Sequence, residues 1–252
     1  MKKKLNSFSL LLILMLLAGL WRVFDRRSRK RIPSPEGIDD PTIASAFEWV
    51  TNMPQMRLAR RYVCYSATRL INTGEALDLG CGAGQLVIEL ARAAPTMHVT
   101  GIDLSENLLA DARQSAEEAG VAERVEFRLG NVEGIPSPDQ SLDLAISTFS
   151  LHHWNEPVKV LNEIDRVLKP GGVYYLFDLR RDMALPFYLL IWFATQFIVP
   201  AALHLVNEPM GSRNASYTVQ ELSDLARHSK LGGGLVTSGP LWIVLAGKKG
   251  RK

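Results

Sequence analysis

Three short segments carry residue types suited to binding a nucleotide-like ligand. The first is the glycine-rich run DLGCGAG at 78–84, between a predicted strand and a predicted helix. Glycine lets a backbone approach a ligand closely, and a helix start offers unpaired N–H groups. The second is Asp103, after the next predicted strand, where a carboxylate can accept hydrogen bonds from both hydroxyls of a ribose. The third is Gly130-Asn131-Val132, after the third predicted strand.

The spacing of the glycines narrows the choice of ligand. A dinucleotide fingerprint, Gly-x-Gly-x-x-Gly, would need its last glycine at position 85. That position holds Gln85, and the third glycine falls one residue earlier, at Gly84. Because a glycine pattern alone is weak, the ligand must be inferred from the three segments together.

Two neighbouring histidines are the candidate catalytic groups. His152 and His153 are of the type that serves as a general base near neutral pH, or they form structural hydrogen bonds in a pocket wall. The two cysteines, Cys64 and Cys81, are far apart and indicate neither a disulfide framework nor a metal site. We therefore predict no bound metal and assign no catalytic residue firmly.

The elements that position these residues alternate along the chain. Strands are predicted at 75–79, 98–103, 125–129, 142–148 and 172–179, and helices at 54–71, 85–94, 106–119 and 157–168. A further helix at 218–229 and two strands at 235–236 and 241–246 follow. Such alternation predicts βαβ units and a mainly parallel sheet with helices on both faces. Ligands of these sheets bind outside the carboxyl ends of the strands.

The ordered set of motifs resembles the class I S-adenosylmethionine-dependent methyltransferases, in the branch that includes quinone-biosynthesis methyltransferases. The segments that carry the resemblance are ALDLGCGAG at 76–84, GIDLS at 101–105, STFSLHHW at 147–154 and LKPGG at 168–172. It covers about residues 55–182. It implies a Rossmann-like α/β fold with a seven-stranded sheet, the last strand antiparallel, and S-adenosyl-L-methionine as cofactor.

The resemblance also implies a role for each donor-site residue. Carried over by position, the methionine part would be surrounded by Asp78, Gly80, Cys81, Gly82 and Gly84; the ribose held by Asp103, with Leu104 beside it; and the adenine bound by Asn131 and Val132. The family usually has Asp where this chain has Asn131. An amide oxygen can still accept the hydrogen bond from the adenine amino group, so we expect weaker binding at most.

The N-terminal residues suggest a membrane anchor. An apolar run at 10–21 is flanked by Lys2–Lys4 and by six basic residues between 22 and 31. No small-x-small cleavage site follows, which favours an uncleaved transmembrane helix over a cleaved signal peptide. The flanking charge places the remaining domain in the cytoplasm. We expect an anchor at 1–31, a linker with cap helices at 32–72, and the methyltransferase domain at 73–252.

The charge of that remaining chain argues against a nucleic-acid partner. The first 31 residues hold nine of the 29 Lys and Arg but one of the 26 Asp and Glu, so the remainder has a net charge of −5. A nucleic-acid binder would need a basic face to displace counterions from phosphates. We therefore expect a small-molecule acceptor.

A second apolar segment, 183–206, is long enough to span a bilayer. The two last strands should join the same sheet as the earlier ones, which excludes a single crossing but leaves open a re-entrant hairpin broken near Pro200. We expect a lid, either buried over the active site or in contact with lipid, and favour the lipid contact. The sequence thus predicts methylation of a small apolar or amphipathic acceptor, quinone- or lipid-like, at a membrane surface. The alternatives are a soluble acceptor and a non-catalytic donor-binding membrane scaffold; the oligomeric state is not predicted.

Overall fold

A seven-stranded sheet organises the chain. The computed structural model describes residues 15–16, 30–34 and 41–250. The strands are β1 (Thr73–Leu79), β2 (Thr96–Asp103), β3 (Val125–Leu129), β4 (Leu142–Thr148), β5 (Leu168–Leu179), β6 (Leu235–Ser238) and β7 (Trp242–Lys248). Their order across the sheet is β3-β2-β1-β4-β5-β7-β6. β7 runs antiparallel to both of its neighbours, and the other strands share one direction.

Eight α-helices lie in the described residues, and several begin at recognisable start signals. They are α1 (Pro41–Thr51), α2 (Pro54–Thr68), α3 (Gln85–Ala93), α4 (Glu106–Glu118), α5 (Pro157–Val167), α6 (Leu185–Phe197), α7 (Met210–Ala215) and α8 (Val219–His228). Proline, whose fixed φ suits a first helical turn, opens α2 and α5. Ser105 caps α4, accepting a hydrogen bond from the Leu108 N–H.

Helices cover both faces of the sheet, as the alternation predicted. On one face, apolar residues of α2, α3 and α4 pack with Val99, Leu144 and Ile146. On the other face, residues of α5 and α8 pack with Leu77 and Leu176. Because both faces are buried, the central strands are apolar along most of their length. The predicted seven-stranded sheet, with its last strand antiparallel, agrees with this architecture.

One predicted boundary is wrong. The helix predicted at 157–168 and the strand predicted at 172–179 leave a turn between them, but β5 already starts at Leu168, which pairs with Leu142. The register between β4 and β5 then shifts before Leu144 pairs with Val173. Backbone hydrogen bonds to Lys249 hold the intervening residues against the end of β7. The glycines therefore form an irregularity inside a strand.

A long insertion separates β5 from β6 at the end of the sheet where the donor motifs lie. It contains α6, a 3₁₀ turn at Ala201–Val206, and α7. The insertion returns to the point it left, because Arg180 and Tyr217 form a parallel β-bridge. The alternative of a buried lid helix disagrees with the structure. Helix α6 exposes large apolar side chains, namely Leu189, Leu190, Trp192, Phe193 and Phe197.

The predicted transmembrane helix needs correction. Across 15–16, 30–34 and 41–250, no helix has both the length and the apolar character to cross a bilayer. Most of the predicted anchor, 1–14 and 17–29, lies outside the described residues. The single-pass membrane localisation, the cytoplasmic orientation and the membrane partner depended on that helix, and they are withdrawn with it.

Candidate active site

The glycine-rich turn joins the end of β1 to the start of α3. Its first N–H groups are tied to the neighbouring strand, since Gly80 and Cys81 both donate to the Ile102 carbonyl, at 2.9 and 3.0 Å. Gly80 has a φ of 73°, a region that favours glycine. A Cβ at this position would also collide with the Ser150 hydroxyl. The turn therefore lies directly against the segment that follows β4.

Gly84 closes the turn and opens α3. Its φ is 76°, and a Cβ there would lie 2.8 Å from both Ala112 and the Phe127 ring. A larger residue would push the turn away from α4 and β3. This close packing explains why position 84 holds a glycine.

Asp103 lies at the end of β2, beside the turn. One carboxylate oxygen accepts a hydrogen bond from the Gly82 N–H at 2.8 Å, and the other from the Ser105 N–H at 3.0 Å. Each oxygen keeps a further lone pair, so the group can still accept from ribose hydroxyls. The predicted ribose residue is thus fixed in place by two of its neighbours.

The residues predicted to bind adenine, Asn131 and Val132, follow β3, and Leu104, predicted beside the ribose, follows β2. Leu104 is 47% exposed and Val132 is buried. The Asn131 side-chain oxygen accepts a hydrogen bond from the Glu133 N–H at 2.8 Å, which leaves its amide nitrogen as a donor. Carboxyl ends of neighbouring parallel strands meet at one edge, so these residues share the edge with Asp103 and the turn.

Asp78 is the most unusual acid of the site. It is 2% exposed, and its Oδ1 has no hydrogen-bond partner among the described residues. Burial, reinforced by the nearby Asp103 carboxylate, raises the pKa of Asp78 to about 8. A cation beside it would favour the charged form and lower that pKa. The site therefore contains a buried acid that a positively charged ligand can ionise.

Cys81 belongs to the turn but not to its chemistry. Burial raises the pKa of its thiol well above the ordinary value, with Asp78 and Asp103 adding to the effect. A neutral buried thiol is a poor nucleophile. Cys81 acts as a small packing residue. Its sulfur lies so close to Gly101 that a Cβ added there would collide with it.

The end of β4 lies between the turn and a cluster of aromatic rings. The Ser147 hydroxyl donates to the Leu79 carbonyl at 2.8 Å, joining β4 to β1. Phe149 follows with a φ of 54°, which is rare for an aromatic residue and common at functional sites. Its ring meets Phe177 edge-on, with 5.3 Å between centroids.

The aromatic cluster extends over four elements. Phe177 stacks on Trp242 with 5.7 Å between centroids, and Tyr62 of α2 lies 5.6 Å from the same indole. Phe177 is buried, but Tyr62 is 43% exposed and Phe149 and Trp242 are half-buried. We call Tyr62, Phe149, Phe177 and Trp242 the aromatic wall.

His152 lies on the opposite side of the same strand ends. It is buried in a 3₁₀ turn, Leu151–His153, and its Nδ1 is 2.7 Å from Asp178 Oδ1. Its backbone N–H donates to Asp178 Oδ2 at 2.8 Å. Among the described residues its Nε2 has no hydrogen-bond partner. The ring of His153 stacks against it, 4.1 Å between centroids.

Comparison with known proteins identifies the central part of the chain. A family model described as a methyltransferase domain matches residues 77–176. Residues 77–176 are a methyltransferase domain. The resemblance inferred from the motifs is thereby confirmed, including the class that uses S-adenosyl-L-methionine.

Relatives of the domain include enzymes named for different acceptors. A demethylmenaquinone methyltransferase of Geobacillus sp. (strain WCH70) is 35% identical over 127 residues, 50% of this chain and 54% of that protein. The 27-O-demethylrifamycin SV methyltransferase of Amycolatopsis mediterranei (strain S699) is 40% identical over 102 residues, 40% of this chain and 37% of that protein. The chain spans about half or less of the length of these curated relatives.

The fold is shared more widely than the sequence. A crystal structure of a SAM dependent methyltransferase from Aquifex aeolicus matches with a TM-score of 0.63. The match covers 84% of this chain and all of the other, at 19% identity. At that identity the likeness supports the fold of the methyltransferase domain and not its acceptor.

The donor-site residues of the methyltransferase domain fit S-adenosyl-L-methionine. The buried Asp78 oxygen without a partner suits a cationic methionine part, and Asp103 retains acceptor capacity for a ribose. Leu104 and Val132 offer apolar surface at the strand ends where an adenine would lie. Each of these residue roles stays a prediction.

Sequence reasoning missed the groups on the other side of the site. The aromatic wall combines residues from α2, β5, β7 and the segment after β4, so no local pattern could have revealed it. Asp178 was predicted only as part of the strand at 172–179. The signal available for it was polar character inside the otherwise apolar run at 173–179.

We expect donor affinity to depend on pH through Asp78. Its raised pKa means that donor binding must release a proton below about pH 8, so affinity should increase by up to about tenfold per pH unit between pH 6 and 8. Without donor, the stability contributed by protonated Asp78 is fully present at low pH and is lost as pH rises through about 8. Calorimetric titration of Asp78→Asn should give a flat pH profile.

The matched control for this titration is Asp111→Asn, which removes an exposed carboxylate on α4. It should keep the wild-type pH dependence. A sloping profile in Asp78→Asn, equal to that of the wild type, would contradict the assignment.

Asp103→Asn should weaken donor binding by at least about tenfold, because a charged acceptor is replaced by a neutral one with fewer lone pairs. The control is Ser105→Ala, which removes the cap of α4 but keeps the backbone N–H that contacts Asp103. Calorimetry with S-adenosylhomocysteine measures both variants. Equal affinity of Asp103→Asn and the wild type would remove Asp103 from the ribose site.

Proposed function

We propose that the protein transfers a methyl group from S-adenosyl-L-methionine to a small apolar acceptor. The aromatic wall is the observation that supports this most strongly. It stands at the carboxyl ends of β4 and β5, next to the glycine turn, where the reactive end of the donor would lie. When bound, the donor supplies a methyl group that is attached to a positively charged sulfur. After transfer of the methyl group, the sulfur is left in a neutral thioether.

The aromatic wall suits an aromatic or quinone-like acceptor. Its partly exposed rings offer a flat surface against which another ring can stack or pack edge-on. Burying an apolar acceptor there would also exclude water from the reacting atoms. The name of the Geobacillus relative, a demethylmenaquinone methyltransferase, agrees with this acceptor class.

His152 is the residue that we propose as the base. Its Nδ1 bond to Asp178 fixes the tautomer, so Nε2 keeps its lone pair and can take a proton. As the acceptor atom forms its new bond to the methyl carbon, its proton would pass to Nε2. The charge on the imidazolium would then be balanced by the Asp178 carboxylate. His153 stacks against this ring and is assigned to the pocket wall.

A labelling experiment separates this proposal from its alternatives. The protein is incubated with methyl-tritiated S-adenosylmethionine and either 1,4-naphthalenediol, a cell lipid extract or an aqueous metabolite extract. Label in the diol or lipid sample supports an apolar acceptor, and label confined to the aqueous sample supports a soluble one. Donor binding without label in any sample would indicate a non-catalytic donor-binding protein.

Tyr62→Ala should raise the KM of the labelled acceptor by about tenfold, since it removes an aromatic surface of the wall. Donor affinity should change less than twofold. The matched control is Tyr65→Ala on the same helix: Tyr65 is 60% exposed and its ring meets Arg69 instead of the wall. Equal KM values for the two variants would exclude the wall from acceptor binding.

His152→Gln should lower kcat by about 100-fold or more, the effect expected for loss of a general base. Donor affinity measured by calorimetry should stay unchanged, which also shows that the variant is folded. His228→Gln, on the exposed side of α8, serves as the control and should keep full turnover. Wild-type kcat in His152→Gln would leave His152 with a structural role only.

A further inference from the structure

Arg31 precedes the sheet and lies outside the matched domain, yet its side chain reaches two distant elements. Its Nε donates to the Ala215 carbonyl at 2.6 Å, and its Nη2 donates to the His152 carbonyl at 2.9 Å. The guanidinium carbon lies 4.5 Å from the centroid of the Tyr217 ring. One side chain thus joins the turn that carries His152 to the end of the insertion.

The backbone next to Arg31 strengthens the same contact. The Ile32 N–H donates to the Asn214 carbonyl at 3.0 Å. The last carbonyls of a helix have no partner inside it, and residues 31 and 32 satisfy two of those at the end of α7. A planar guanidinium can hold two carbonyls in fixed directions, which a flexible lysine ammonium cannot do equally well.

The contact completes the fixation of His152. Its backbone N–H and its Nδ1 are both held by Asp178, and its carbonyl is held by Arg31. Three of its four polar groups are therefore bound, and Nε2 is the one without a partner among the described residues. An arrangement that fixes every other polar atom also fixes the direction in which Nε2 points.

We propose that Arg31 is a positioning residue of the acceptor site. It sets His152 through its carbonyl and holds the end of the insertion against the same turn. Arg31 and Ile32 are thereby part of the active site. This inference rests on the proposed role of His152 as the base.

The kinetic test compares Arg31→Ala, Arg31→Lys and Lys30→Ala with 1,4-naphthalenediol or the lipid extract as acceptor. Arg31→Ala should lower kcat by up to about 100-fold, because a small displacement of a catalytic group has effects of that size. Donor affinity should change less than twofold, and added guanidinium ion should restore part of the turnover. Arg31→Lys should lie between Arg31→Ala and the wild type. Lys30→Ala, an exposed neighbour, should behave as the wild type.

Hydrogen–deuterium exchange gives a readout that needs no turnover. In Arg31→Ala, exchange should accelerate in peptides covering 150–154 and 210–217, and stay unchanged across α8. If the wild type transfers no methyl group and Arg31→Ala still exchanges faster, the proposed function is refuted, while the structural contact of Arg31 stands. Unchanged exchange and unchanged kcat in Arg31→Ala would overturn the positioning role. Should Arg31→Ala fail to bind donor, wild-type kcat in Arg31→Lys overturns it instead.

Discussion

The active site depends on one topological constraint, the reversal of strand order between β1 and β4. From β1 the chain continues outward to β2 and β3, then returns to place β4 on the other side. At such a switch point the connections leave in opposite directions and open a crevice at the carboxyl ends. The predicted donor residues lie on the β1–β3 side, and the aromatic wall and His152 lie on the β4–β5 side. Under the proposed function, the methyl group would cross between β1 and β4, where Ser147 joins the strands.

Electrostatics on the donor side follow from the same geometry. Asp78 near the end of β1 and Asp103 at the end of β2 lie on neighbouring strands, and the first is buried beside the second. Burial, reinforced by the Asp103 carboxylate, raises the pKa of Asp78, and a cation bound beside it would lower that pKa again. Under the proposed function, such a site would favour a sulfonium donor over its neutral thioether product. That difference would favour release of the product after transfer.

The sequence predicted the sheet and brought the candidate donor residues to one edge of it, because the signals for both are local. Glycine spacing and strand-end acids are each read within a few residues. The acceptor side depends on residues that meet only in the folded chain: Tyr62 and Trp242 are far apart in sequence, and Asp178 was one polar residue in an apolar strand. Arg31 was interpreted as a flank of a membrane anchor because it follows an apolar run. Only its contacts with His152 and Ala215 point to the proposed positioning role.

The bridge between Arg180 and Tyr217 has an evolutionary consequence. Because the insertion leaves and rejoins the sheet at one point, its outer part could lengthen at little cost, since doubling a loop costs only about 0.6 kcal/mol. The end held by Arg31 is the part that such a change would have to keep. New acceptor preferences would then arise by changes in the outer part of the insertion, with every strand left in place.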